Sequence, residues 1–451
     1  MRFALLLLSA LLAISCVPNR SYRARELAVF PGSQACANTG NVPLEQGPWV
    51  LPAGTTDLSK KGFKLGFIEF DDYGEFFNRC ELNNVIGAID EAKRMAGSVT
   101  VIVFVHGWKN NASDQSGNIW GFRDELADIA RRGHVPPNVP VLGIYLGWRG
   151  DVLKFGKNFT FWDRRDTATH IGGAHMTETL LEIINATKGQ HYTDPSTCVL
   201  VGHSFGGLLL EHALTQTLIN VFERESAEQQ DCKTVAFSPP VDLIAFINEA
   251  APAIEAKKTL EYLSAHNVHL FRDSREYPVI VSMTSQTDLA TKLALPGGQA
   301  LSLPFNNLRD YKQPDAFGIT KQRSYYLQST ANMTALQSHV IGDAEDPDIA
   351  KAFRNHPESQ FKEVSVGGVD YRVLRIQNAK NTTGYWVMQI PSKVVPDHGT
   401  IFRPEFRRLL EVFLPPVPEK QAAAGTCADR ISPSVRVSPE HNSKVLFDRM
   451  R

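Results

Sequence analysis

The stretch Cys198-Val199-Leu200-Val201-Gly202-His203-Ser204-Phe205-Gly206-Gly207-Leu208-Leu209-Leu210 constrains this chain more than any other. Its first four residues read as a buried strand, and the apolar run from Gly207 to about Phe222 reads as a helix. Between them lies Gly-x-Ser-x-Gly. A strand turns into a helix over so few residues only through a sharp, strained bend, and Ser204 sits at its apex. Glycines at 202 and 206 keep side chains out of the space where strand and helix close on each other. The Phe205 N–H then lies beside the Ser204 hydroxyl at the helix N-terminus, where it can stabilise a developing negative charge. The flanking strand and helix separate this pattern from a glycine-rich turn whose serine is idle.

The rest of the chain supplies the sheet that such a turn needs. Phe63 to Phe70 alternates as an early strand and ends in the turn Asp71-Asp72-Tyr73-Gly74. Leu82, Val85, Ile86 and Ile89 recur at helical spacing, which predicts an amphipathic helix over about 81–96. Val99 to Val105 and Val139 to Leu146 are continuous apolar runs, the mark of strands covered on both faces. Helices are predicted over about 117–132, 166–187 and 243–264. Further strands are predicted at Thr234 to Phe237, Pro278 to Thr284 and Gly384 to Ile390. A final helix opens at Pro404, a first-turn position. Alternating strands and helices imply a mostly parallel sheet with helices on both faces. The alternation fails between Leu289 and Thr383, a stretch too long for a simple loop. It offers one strand pair, Phe361 to Val366 and Asp370 to Ile376, joined by Gly367-Gly368. The reading is therefore a signal peptide at 1–15, a tether and irregular arm at 16–61, a core of 62–288 and 384–414, a cap-like insertion at 289–383 before the last strand, and a tail at 415–451.

Taken together these residues resemble the α/β-hydrolase superfamily, close to secreted bacterial esterase or lipase-like members. The resemblance is carried by Phe104-Val105-His106-Gly107-Trp108, by the elbow Gly202 to Gly207, by Asp288 after a late strand and by His398 after the last. The order Ser, Asp, His is that of the family. It implies an α/β-hydrolase fold, hydrolysis through an acyl-enzyme, and no cofactor. Ser204 is then the nucleophile, His398 the base, Asp288 the acid, and the N–H groups of Trp108 and Phe205 the oxyanion hole. The chemistry agrees. A hydroxyl is a poor nucleophile until an imidazole takes its proton, and a carboxylate holds that imidazole in the right tautomer.

Each assignment has a rival. Of the histidines after Asp288, His339 and His356 lie in the insertion and His441 in the tail, so His398 alone sits between a buried strand and a helix. Asp242 is the alternative acid, since related folds also place it one strand earlier; otherwise Asp242 caps a helix beginning at Leu243. His203 packs beneath the elbow, and His106 is a structural hydrogen-bonder. Trp108, Tyr145, Trp148 and Phe205 either line an acyl pocket or belong to the core. His266 and His269 share a helical face but have no carboxylate partner, which argues for a surface pair over a metal site.

Composition bounds the partners. A net charge of -1, from 47 basic and 48 acidic residues mixed along the chain, gives no electrostatic footprint for nucleic acid. Met1-Arg2 and the apolar run Phe3 to Ile14 read as an export signal too short to span a bilayer. It ends Leu12-Ala13-Ile14-Ser15-Cys16, which resembles a bacterial lipobox, so Cys16 is expected to be lipidated and to hold the protein at the cell envelope. The other cysteines, Cys36, Cys80, Cys198, Cys232 and Cys427, lack C-x-x-C spacing and so show no zinc pattern. In an oxidising compartment some should pair, and Cys198 with Cys232 is one possibility. The expected substrate is a small-molecule or lipid ester. An amide or thioester hydrolase with the same triad, and an inactive fold used as a binding module, are the competing functions.

Overall fold

The computed structural model describes residues 17–23, 36, 47–51, 57–150, 152, 161–190, 192–228, 239–266, 278–303, 308–355, 360–366 and 368–414. Cys16, the signal segment and the tail from 415 lie outside these residues, as do Cys232, Cys427, His269, His356 and His441.

Ten strands are described: β1 (Lys64–Glu69), β2 (Thr100–Val105), β3 (Val141–Gly147), β4 (Thr197–His203), β5 (Leu243–Ile247), β6 (Ile280–Ser285), β7 (His339–Asp343), β8 (Gln360–Val366), β9 (Val369–Arg375) and β10 (Tyr385–Ile390). Seven form one sheet in the order β1-β3-β2-β4-β5-β6-β10, and every neighbouring pair is parallel. The helices are α1 (Cys80–Ala96), α2 (Gly117–Arg131), α3 (Phe161–Ile171), α4 (Ala174–Lys188), α5 (Phe205–Glu228), α6 (Ala253–Ala265), α7 (Leu295–Ser302), α8 (Gln322–Tyr326), α9 (Pro347–Asn355) and α10 (Pro404–Phe413).

Strand residues alternate between two cores because successive side chains point to opposite faces. Val101, Val103 and Val105 of β2 pack with α1, α4, α5 and α6. Ile102 and Phe104 of the same strand pack with Ile119, Phe122 and Leu126 of α2 and with Phe406, Leu409 and Leu410 of α10. Both faces are thus covered, which is why the strands read as unbroken apolar runs rather than as alternating ones.

The strand order places the site. From β2 the chain crosses to β3 on one side; from β4 it moves to β5 on the other. The carboxyl ends of β2 and β4 therefore flank the point where the winding reverses, the position at which open α/β sheets leave a crevice. Register pairs Val105 with Gly202, so Gly107 and Ser204 emerge side by side.

Several sequence expectations need correction. The strand that precedes β6 in the chain is Leu243–Ile247, where the sequence predicts a helix over 243–264, and the helix is confined to Ala253–Ala265. Residues 234–237 lie outside the described residues. Leu243-Ile244-Ala245-Phe246-Ile247 is a short, wholly buried run, for which periodicity does not separate strand from helix. Asp242 thus precedes a strand and caps no helix. The helix expected over 166–187 is two helices, interrupted at Gly172-Gly173, the residue type least favourable in a helix interior. Cys36 pairs with Cys80, and Cys198 is a free buried thiol, so the Cys198–Cys232 pairing is excluded.

Residues 289–383 divide into parts with different partners. The β7-β9-β8 sheet is antiparallel. Its Ile341, Tyr371 and Val373 join the core of α10 and β10, at the outer edge of the main sheet. β7 has no counterpart among the strands that the sequence predicts; His339, at its start, is buried with its ring stacked 3.6 Å from Trp386. Phe317 and Tyr325 are buried with the residues of α6. The part directly after Asp288 stays at the carboxyl end of the large sheet, where Leu289 and Leu293 are exposed, and Asn332 joins it there, its Nδ2 donating to Thr291 Oγ1 at 3.1 Å.

Candidate active site

Ser204 closes the bend between β4 and α5 with φ of +57°. A non-glycine residue there is strained, and only a surrounding structure that fixes it keeps it so. The surroundings do. The Ser204 N–H donates to Ile247 O at 3.0 Å, and the Ser204 carbonyl accepts from Gly207 N and Ala250 N at 3.1 and 3.2 Å. A Cβ on Gly206 would lie 2.1 Å from Val105 O, and one on Gly202 would lie 2.7 Å from Gly207 Cα. At Gly107 a Cβ would lie 2.6 Å from Ser204 Cβ, so the backbone after β2 rests directly on the nucleophile.

His398 lies in the loop after β10 and reaches back across the sheet. Its Nε2 is 2.7 Å from Ser204 Oγ, and its Nδ1 is 2.9 Å from Asp288 Oδ2. A carboxylate only accepts, so Nδ1 carries the proton and Nε2 is left to accept from the serine hydroxyl. Asp288 is fully buried at the end of β6. Its Oδ2 also accepts from Thr291 Oγ1 at 2.8 Å, and its Oδ1 accepts from Ala290 N at 2.9 Å. Burial alone would raise its pKa; the hydrogen bonds and charge of His398, with Thr291, outweigh burial and hold it below the usual carboxylate value.

Asp242 is elsewhere. It stands at the amino end of β5, accepting from Cys198 N at 2.8 Å and paired with Lys188 Nζ at 3.1 Å. Ser204, Asp288 and His398 are brought together; Asp242 is not among them.

Trp108 follows Gly107 in the loop after β2, and Phe205 is the first residue of α5. The first N–H groups of a helix have no partner within it. His106 fixes the peptide that joins Gly107 to Trp108. Its Nδ1–H donates to Gly107 O at 2.9 Å, and its Nε2 accepts from Trp148 N at 3.0 Å. In a trans peptide C=O and N–H point opposite ways, so fixing the Gly107 carbonyl directs the Trp108 N–H away from His106. Burial lowers the His106 pKa to about 4, so the ring stays neutral and this tautomer persists. Tyr145 and Trp148 sandwich that imidazole at 5.4 Å each and are buried, which makes them core residues. Phe205 is buried too; Trp108 is half-buried, its ring edge-on to Phe161 at 5.2 Å.

Sequence reasoning missed Asn248. It follows β5 at φ of +47° and is fully buried. Its Nδ2 donates to the carbonyls of His398 and Asp397 at 3.0 and 3.3 Å, and its Oδ1 accepts from Ser285 N at 2.8 Å. Asparagine is among the few side chains enriched at positive φ, the one local signal that could have marked it once the strand was correctly placed.

A family model described as the alpha/beta hydrolase family matches residues 102–370, more than half of the chain. The match includes Ser204 and Asp288 and ends before His398, whose place beside them rests on the geometry above. Neither a curated protein nor a solved structure gives a significant match. With a parallel sheet, a serine elbow after β4 and a matching family model over most of the core, the chain belongs to the alpha/beta hydrolase family.

Proposed function

We propose that the protein is a serine hydrolase that cleaves carboxylic esters through an acyl-enzyme, with Ser204, His398 and Asp288 as its catalytic residues. One observation carries the reading: a single imidazole bridges Ser204 Oγ at 2.7 Å and Asp288 Oδ2 at 2.9 Å. His398 Nε2 takes the hydroxyl proton as Ser204 Oγ bonds to the ester carbonyl carbon. The oxygen that gains charge is met by the N–H groups of Phe205 and Trp108; losing one such donor costs about 3 kcal/mol in the barrier. His398 then gives the proton to the leaving alkoxide as the carbon–oxygen bond breaks. Water repeats the sequence on the acyl-enzyme, releasing a carboxylic acid and restoring Ser204.

The reading extends to location. Residues 17–23, directly after Cys16, run along the carboxyl end of the sheet. Glu69 at the end of β1 accepts from Ser21 Oγ, Tyr22 N and Arg23 N at 2.7, 3.0 and 2.7 Å, and Arg149 after β3 donates to Val17 O at 2.7 Å. A lipid on Cys16 would hold this end, with Ser204, toward a bilayer. Tyr73, Trp120, Leu289 and Leu293 are exposed on segments at the same end, which supports a lipid or membrane-borne ester as substrate. The residues following Asp288 would then form the mouth of the site, the part of the insertion that acts as a cap.

The test is a panel of activated esters of graded acyl length, with a fluorophosphonate probe as active-site label. Saturable turnover and stoichiometric labelling, both abolished in Ser204→Ala, are expected. A folded protein that neither turns over any ester nor takes the label is a binding module; cleavage of amides or thioesters alone moves the substrate class while retaining the triad.

A further inference from the structure

The triad histidine sits in a loop, yet its main chain is tied down at successive residues. Ser285 Oγ donates to Val395 O, and Thr287 Oγ1 donates to Pro396 O at 2.8 Å. Asn248 Nδ2 donates to Asp397 O and His398 O at 3.3 and 3.0 Å. His203 Nε2 donates to the same His398 carbonyl at 2.8 Å. Those donors come from the carboxyl ends of three adjacent strands: β4 for His203, β5 for Asn248, β6 for Ser285 and Thr287.

We propose that Asn248 and His203 are positioning residues for His398, gripping its carbonyl from two strand ends so that the imidazole meets Ser204 and Asp288 at once. The proposal rests on the triad reading above. Three features support it. First, the Asn248 amide is unambiguous in orientation: its oxygen faces the Ser285 N–H and its nitrogen faces two carbonyls. Second, the Asn248 backbone stands at φ of +47°, and its N–H donates to Met283 O at 2.8 Å, which ties the residue to the end of β6. Third, His203 must carry its proton on Nε2 to donate, which leaves Nδ1 as an acceptor with no hydrogen-bond partner among the described residues. A buried, half-satisfied ring is retained at a cost in stability, and what it gains is a fixed donor on the catalytic loop. Burial, then the adjacent His398, lowers the His203 pKa to about 3, so it stays neutral when His398 becomes an imidazolium 5.2 Å away.

The reach of this grip is short and its geometry strict. Removing it loosens the loop at His398, with Val395 and Pro396 still held, without touching any reacting atom, and misplacement by about 1 Å can lower turnover by about a hundredfold. Four variants of the full chain test it. Asn248→Gly removes the amide and accommodates the positive φ. Asn248→Asp keeps the shape but turns an oxygen toward two carbonyls. His203→Ala removes the second donor, and His203→Gln returns an N–H at similar reach. Asn248→Gly, Asn248→Asp and His203→Ala should lower kcat about ten- to a hundredfold with KM unchanged, and His203→Gln should recover most of the His203→Ala loss. In 15N-histidine NMR, the downfield proton on His398 Nδ1 should broaden or vanish in the impaired variants and return in His203→Gln. Folded variants that keep both kcat and this resonance overturn the proposal. If Asn248→Gly does not fold, the His203 pair decides. If the wild type cleaves no ester, amide or thioester, the hydrolase reading fails and the resonance alone decides: persistence in the variants overturns the grip, loss upholds it. A wild-type protein without the resonance overturns it outright.

Discussion

Asp288 and Asp242 bound neighbouring strands yet stand at opposite ends of the sheet. Asp288 follows the carboxyl end of β6 and bonds His398, whereas Asp242 precedes β5 and bonds Cys198 N and Lys188. In a parallel sheet this difference is decisive, because all strands deliver their carboxyl ends to one side. Asp288→Asn should lower kcat by about four orders of magnitude with the melting temperature little changed. Asp242→Asn leaves Lys188 buried without its counter-ion and should cost about 3 kcal/mol of stability with kcat retained in the folded fraction. Steady-state kinetics and denaturant melts on both variants check this; the reverse pattern moves the acid to Asp242.

Gly107→Ala forces a methyl to within 2.6 Å of Ser204 Cβ and 2.8 Å of His203 O. Neither atom can yield, since one belongs to the nucleophile and the other to the strand end. We expect fluorophosphonate labelling to slow by at least about tenfold and stability to fall by about 1–3 kcal/mol. Unchanged labelling would show that the backbone after β2 does not set the site.

Glu211 on α5 and Glu249 after β5 are both buried and face each other beneath the elbow. Burial, and then the neighbouring carboxylates, hold Glu211 well above the usual carboxyl range. Burial raises Glu249 to about 8. A pKa raised in the folded state stabilises the fold below the unfolded value and loses that stabilisation as pH rises through the folded one. Stability should therefore decline from weakly acidic pH through about pH 8, where Glu249 ionises. Glu249→Gln should flatten that decline. Melting temperatures from pH 5 to 9 are the measurement, and parallel curves for wild type and variant would refute the assignment.

Leu289 and Leu293 are exposed beside Asp288, whereas Val364 and Val369 pack at the outer edge with α10. If the residues after Asp288 form the mouth of the site, Leu289→Ser and Leu293→Ser should shift preference between short and long acyl esters by several-fold. Val364→Ser and Val369→Ser should leave the chain-length profile unchanged while lowering stability. Equal profiles in all four variants would remove the insertion from substrate selection.

Cys16→Ser tests attachment. Expression in a bacterium should yield a membrane-fraction protein carrying acyl mass at Cys16, and the variant should lose both. Soluble wild-type protein without acyl mass ends the idea; a single chain would anchor only marginally, so multiple acyl chains are expected.

The sequence by itself determined the elements whose signals are local. The elbow around Ser204, the buried runs of β2, β3 and β6, and Pro404 at the start of α10 each carry their instruction within a few residues. Chain order then pointed to Asp288 and His398. Tertiary structure alone decided what depends on which segments meet. Leu243–Ile247 became a strand because it slots between β4 and β6, a context that a five-residue apolar run does not announce. The Cys36–Cys80 bond joins residues 44 positions apart, and nothing in their spacing prescribes it. The insertion divided between sheet edge and site mouth because its pieces bury their apolar faces against different parts of the core. The grip on His398 joins Asn248 to a loop 150 residues away. An asparagine amide has no long-range preference; its meaning came only from the two carbonyls that the folded sheet set before it.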